Sequence, residues 1–152
     1  MALKTFFKTG IASVLALGFV MFALGAPAKA GIEITGVTGR APIIDGRPGV
    51  AYFTIRNTGS KADHLLEIQS PAIGRIEIHE SKMEGDMMTM EPVSSLEIPA
   101  GGEVVFKPGS YHAMLFDMNE KALKKHSAPL IFTFEKAGKI TVSAKILAPG
   151  GK

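Results

Sequence analysis

Cysteine is absent from the whole 152-residue sequence. Its absence excludes disulfides, cysteine-rich structural zinc, thioredoxin-like redox chemistry and cysteine nucleophiles. It also argues against a blue-copper electron-transfer centre, which requires a thiolate ligand, and it leaves a lipoprotein anchor no point of attachment. No Ser-His-Asp order, paired carboxylates or nucleophile elbow is recognisable, so nothing marks an enzyme. Internal repeats, low-complexity blocks and a convincing helical period are missing too. With no disulfides to staple it, the core has to hold the fold unaided.

Positive charge is also thinner than it looks. Basic residues number 17 against 14 acidic ones, but Lys4, Lys8 and Lys29 fall in a segment that reads as an export signal. Lys4 and Lys8 form its positive start, Ile11 to Leu24 its apolar stretch, and Ala28-Lys29-Ala30 a small-x-small cleavage site. The apolar run is too short to cross a bilayer comfortably, and no stop-transfer pattern follows. Residues 1–30 are therefore expected to be a secretory signal peptide cleaved after Ala30. Residues 31–152 are expected to be one exported, periplasmic domain with no stable membrane association. Without the three leader lysines the basic and acidic counts are equal, which removes the case for a nucleic-acid partner. About 120 residues suffice for one domain with one core.

From Gly31 onward, short alternating segments are separated by turn signals. Val50 to Arg56, His64 to Ile68, Arg75 to His79, Val104 to Phe106 and Tyr111 to Phe116 are such segments. Asn57-Thr58-Gly59-Ser60, Glu84-Gly85-Asp86, Pro99-Ala100-Gly101-Gly102 and Lys107-Pro108-Gly109-Ser110 are the turns. Leu130 to Phe134 and Ile140 to Ile146 read as a closing hairpin, with Phe132, Phe134, Val142 and Ile146 as core candidates. Asn119 to His126 is polar and lysine-rich, a loop or a single helical turn. The pattern predicts an all-β domain, an antiparallel sandwich or barrel of about eight short strands.

What the chain does have is a concentration of soft and imidazole donors. His79, Met83, Met87, Met88, Met90, His112 and Met114 lie in one stretch, with Met118 just beyond. Thioether and imidazole without thiolate suit monovalent copper better than hard, oxygen-seeking ions. Alternation puts residues i and i+2 on one strand face, about 7 Å apart, so His112 and Met114 project together. His79 ends its strand on the face opposite Ile76 and Ile78, and Met90 lies beyond a turn that folds it back toward His79. Two imidazoles and two thioethers would then converge at one rim. Met83, Met87 and Met88 are weighed more toward packing or surface roles, and adjacent Met87 and Met88 point to opposite faces. His64 reads as a satisfied core or rim residue and His126 as a solvated one.

The spacing His-x10-Met-x21-His-x-Met, set by His79, Met90, His112 and Met114, resembles that of the periplasmic copper chaperone family called PCu(A)C. So does the surrounding text: Met87-Met88-x-Met90-x-Pro92-Val93, Ile98-Pro99-Ala100-Gly101-Gly102, Lys107-Pro108-Gly109-x-Tyr111-His112-x-Met114-Leu115 and Phe132-x-Phe134-Glu135-Lys136-Ala137-Gly138. The resemblance implies a cupredoxin-like β-sandwich or barrel with an exposed Cu(I) site made by His79, Met90, His112 and Met114. It also implies a monomer that supplies copper to the CuA centre of cytochrome oxidase, with that oxidase subunit or a Sco-type copper protein as acceptor. Two departures stand out. Glu80 occupies a position where some members carry an extra methionine, and the chain ends Leu147-Ala148-Pro149-Gly150-Gly151-Lys152 rather than in a Met- and His-rich tail. A copper buffer or detoxification protein with no dedicated acceptor is the competing reading, and a metal-free β-sandwich interaction module is the competitor from another class.

Overall fold

The computed structural model describes residues 31–44 and 46–149; the leader expected over residues 1–30 lies outside them. Each alternating segment becomes a strand. In order these are β1 (Ile32–Arg40), β2 (Gly49–Asn57), β3 (Asp63–Gln69), β4 (Ile73–Glu84), β5 (Met87–Pro92), β6 (Leu96–Ile98), β7 (Glu103–Phe106) and β8 (Tyr111–Met118). The helix α1 (Glu120–Lys125) follows, then β9 (Ser127–Phe134) and β10 (Gly138–Leu147). The described residues form ten strands rather than about eight, and even the three-residue β6 pairs in register with β3. No helix among the described residues is long and apolar enough to cross a membrane.

The strands join in the order β5-β4-β8-β7-β2-β1-β10-β9-β3-β6. Pairing is antiparallel except between β1 and β10 and at the Phe106–Tyr111 contact of β7 and β8, so the sheet is not purely antiparallel as expected. β1 and β10 are separated by almost the whole domain, as a parallel ladder requires, whereas the β7–β8 contact is a single residue pair across the Lys107–Ser110 turn. The sheet also curls. Phe53 on β2 meets Phe132 on β9 edge-on, with ring centroids 5.0 Å apart, although β1 and β10 lie between their strands. In a flat sheet that separation would be about 14 Å, three inter-strand spacings. Curling brings the apolar faces together around Phe53, Ile55, Leu65, Leu115, Leu130 and Ile146, all buried. Each such side chain contributes roughly 1.5–3 kcal/mol by leaving water. Of the expected closing-hairpin core, Phe132, Phe134 and Ile146 are buried, while Val142 is half-buried and packs against them.

Two buried polar residues hold the connection between β2 and β3. Asn57 donates through Nδ2 to the carbonyls of Lys61 (2.8 Å) and Ile98 (3.1 Å), and its Oδ1 accepts from Gly59 N–H. The Asp63 carboxylate accepts from the backbone N–H groups of His64, Lys136 and Ala137, tying β3 to the β9–β10 turn. Burial would raise the Asp63 pKa, but those three N–H donors, helped by the nearby Lys136 charge, leave it below the ordinary value of 3.8.

Candidate metal centre

The histidines and methionines of the stretch His79 to Met114 all lie on β4, β5 and β8, which form one edge of the sheet. Of the other strands from that stretch, β6 pairs with β3 and β7 chiefly with β2. A two-residue turn makes the β4–β5 hairpin: Glu84 pairs with Met87, and Gly85 takes φ +62°. Positive φ at the first central residue is the type II′ pattern that suits a twisted hairpin and favours glycine. Across the hairpin Ser81 faces Met90 and His79 faces Pro92. On the other side of β4, His79 faces His112 and Glu77 faces Met114. Directly paired residues share a sheet face, as do residues two apart. His79, Met90, His112 and Met114 therefore all stand on one face, opposite the core-facing Ile78 and Ala113.

The two imidazoles are the nearest pair, with ring centroids 5.9 Å apart. Met90 and Met114 flank His79 at opposite corners, one level with Ser81 and the other with Glu77. Their long thioethers have to lean inward to meet at a common ion. Exposure grades across the face: the His112 residue is 8% exposed and Met90 57%. Met114 is half-buried between them.

Hydrogen bonding sets the tautomers. His112 Nδ1–H donates to the Ser110 carbonyl at 3.1 Å. A carbonyl only accepts, so the free lone pair of that ring lies on Nε2. His79 Nε2–H donates to the Glu77 carboxylate at 3.0 Å, which leaves the lone pair on Nδ1. That Nδ1 is buried and has no hydrogen-bond partner among the described residues. A buried acceptor left unpaired costs about 1–3 kcal/mol, a cost that a bound cation would remove. Glu77 is held in turn by Arg75, whose guanidinium lies 4.2 Å over the Phe116 ring. The His79 N–H, and then Arg75, pull the Glu77 carboxyl below its ordinary range against the opposing effect of desolvation. Among the described residues no group of three or more His, Asp or Glu side chains could hold a metal ion. The face offers soft and imidazole donors instead.

Sequence comparison matches residues 32–146 to the family described as "LpqE-like: Putative lipoprotein LpqE-like". The chain belongs to the LpqE-like family. It is similar to "Uncharacterized protein RP573" of Rickettsia prowazekii, 33% identical over 96 residues that make up 62% of this chain and 53% of that one. This LpqE-like chain thus spans little more than half the length of the curated relatives it matches. Among solved structures it is similar to "Copper-bound PCuAC domain from PmoF2", at TM-score 0.66 and 24% identity over 79% of this chain and 96% of that one. It is also similar to "Apo PCuAC domain from PmoF1", at TM-score 0.60 and 25% identity over 79% and 97%. The fold is the cupredoxin-like one of PCuAC domains, and the family is the PCu(A)C type that the donor spacing resembles. The family description speaks of a lipoprotein, yet none of these 152 residues is a cysteine that a lipid anchor could use.

The remaining donors sort by position. His64 is held between Glu135 at 3.0 Å and Glu97 at 3.6 Å, far along the sheet from β4. His126 is an exposed left-handed residue that ends α1, φ +51°. Neither reaches the donor face. Met118 packs against the core. Met83, Met87 and Met88 stay exposed on the hairpin, which fits the surface role weighed for them and not the packing one. Glu77, Arg75 and Ser110 were not singled out from sequence. For Glu77 the signal was its position two residues before His79, which alternation puts on the same face.

Proposed function

We propose that this chain is an exported copper carrier that binds Cu(I) through His79, Met90, His112 and Met114 and passes it to a protein acceptor. The observation that carries the reading is the cross-strand pairing of His79 with His112, with a methionine on the same face at each flank. Four neutral donors, two of them thioethers, favour a soft monovalent ion and leave the complex only singly charged. The copper-bound PCuAC relative supports copper as the ion. The residues divide the task. Glu77 and the Ser110 carbonyl hold one ring nitrogen of His79 and of His112, which leaves Nδ1 of His79 and Nε2 of His112 as the donor atoms. Met90, exposed on the edge strand, is the ligand an incoming donor would displace first. Transfer then proceeds by ligand exchange with no change of oxidation state, and no catalytic turnover is assigned.

The acceptor we propose is the CuA centre of cytochrome oxidase, reached directly or through a Sco-type protein in the periplasm. An anaerobic Cu(I) titration against a chromophoric competitor tests the site, with H79A, M90L, H112A and M114L variants alongside. One tight equivalent, weakened by each variant, is expected. Binding that all four variants leave unchanged would overturn the reading. Mixing the loaded protein with the apo CuA domain tests delivery; copper retained on the carrier would leave a buffer instead.

A further inference from the structure

The β4–β5 hairpin has two chemically different faces. One carries Glu80, Lys82, Glu84 and Glu91, with Lys82 Nζ 3.2 Å from Glu80 and 3.0 Å from Glu91. Met87 pairs with Glu84 and belongs to that charged face. The other face carries Met83 paired with Met88, then Ser81 paired with Met90, then His79. It bears no charge along that length. Met83 is 63% exposed and Met88 56%, and neither packs against the core. Their sulfurs therefore fill no gap in the interior, the ordinary use of methionine.

We propose that Met83 and Met88 form a second, weaker site for a soft monovalent cation, the outer step of a thioether track that runs along the hairpin to His79. The inference rests on the soft-ion reading of the inner face. Directly opposed side chains across a hairpin have Cβ atoms about 4.5–5.5 Å apart, which lets two unbranched thioethers close on one ion. Met90 is the next donor on the same face, about 7 Å along the strand, within reach of a side chain with three rotatable bonds. Two neutral sulfurs without imidazole hold an ion more weakly than the four-donor site does. A weak outer site next to the exposed ligand Met90 suits passage of the ion in either direction.

Silver(I), soft and redox-inert, is the probe. The protein is labelled at its methionine methyl groups and titrated while each methyl resonance is followed by NMR. The first equivalent should shift Met90 and Met114. Further silver should shift Met83 and Met88 together, at least about 10-fold more weakly, while Met87 stays in place on its charged face. In the M83L/M88L double variant the later event should vanish and the first remain; both positions are exposed, so the fold should tolerate leucine. Stationary Met83 and Met88 methyls, movement of Met87 in step with them, or a later event that survives the double variant would each overturn the outer site. If instead the first equivalent leaves Met90 and Met114 unmoved while Met83 and Met88 respond, the four-donor reading fails and the hairpin site stands.

Discussion

Two regions of this domain bury polar side chains in opposite ways. At the Asn57–Asp63 end, the buried side chains meet backbone partners: Asn57 makes three hydrogen bonds and the Asp63 carboxylate accepts three. At the β5–β4–β8 edge, His79 keeps a buried nitrogen without a partner, and methionines stand exposed beside it. A satisfied polar cluster contributes to stability and has nothing left to offer a ligand. An unsatisfied one is costly until something binds. The first pattern is structural; the second, an unpaired nitrogen with exposed methionines beside it, marks the candidate site. Among the described residues the equally unpaired Thr133 Oγ1 has no such donors next to it.

The largest effects should fall cleanly on one region or the other. H79A/H112A should reduce Cu(I) affinity by on the order of 100-fold or more, since both imidazoles leave. Its loss of stability should be smaller than that of D63A, because it leaves the Ser110 carbonyl short of a donor but strips no ionised acceptor from backbone N–H groups. D63A should do the reverse. It strips an ionised acceptor from three backbone N–H groups and should cost about 3 kcal/mol or more, with copper affinity unchanged in whatever remains folded. Urea unfolding and competitor titration on the same two proteins check both. A D63A protein that stays fully stable, or an H79A/H112A protein that unfolds, would dissolve the contrast.

Acid separates the regions next. The Asp63 pKa is lowered by folding, so its contribution is complete above the ordinary aspartate value of 3.8 and is lost as pH falls through the lower folded value. The thioethers at the donor edge carry no proton to gain, so the Asp63-dependent loss of stability in acid belongs to the other region. That loss is read as the difference in urea midpoint between the wild type and D63N, and it should shrink toward zero in strong acid. M114L sharpens the point at smaller scale. It keeps volume and removes sulfur, so stability should fall by less than about 1.5 kcal/mol while affinity drops about 10-fold. Loss of fold instead would make Met114 a packing residue.

Most strands were legible because alternation and turn residues agree locally. Val50 to Arg56 and Ile140 to Ile146 read as strands, and Gly85 marks the hairpin turn. The parallel β1–β10 pairing was not legible, because it joins the two ends of the domain and nothing local encodes it. The helix over Glu120–Lys125 is too short to show a period; only Asn119, whose side chain accepts from Ala122 N–H as an N-cap, announces it. The four donor residues could be named because their spacing resembles the PCu(A)C pattern; composition alone offers six other methionines and two other histidines. Their arrangement on one face needed the register. Asp63 and Glu77 were missed for a shared reason: a carboxylate in an alternating strand looks the same whether it meets solvent, backbone N–H groups or an imidazole.

Glu77 gives the smallest and most discriminating prediction, because it lies on the donor face yet is itself satisfied, hydrogen-bonded by His79 and paired with Arg75. If it acts by fixing the His79 tautomer, E77A should weaken Cu(I) binding about 10-fold, in the range that outer partners of metal-bound histidines usually carry. E77Q keeps an oxygen that can accept the Nε2–H and should lose less. Nitrogen NMR of the His79 ring supplies the readout that a merely structural role would not move. The wild type and E77Q should show the proton on Nε2, whereas E77A should show both tautomers. Equal affinity in all three proteins, with an unchanged ring spectrum, would make Glu77 a surface ion-pair residue and leave the orphaned Nδ1 of His79 to be explained by burial alone.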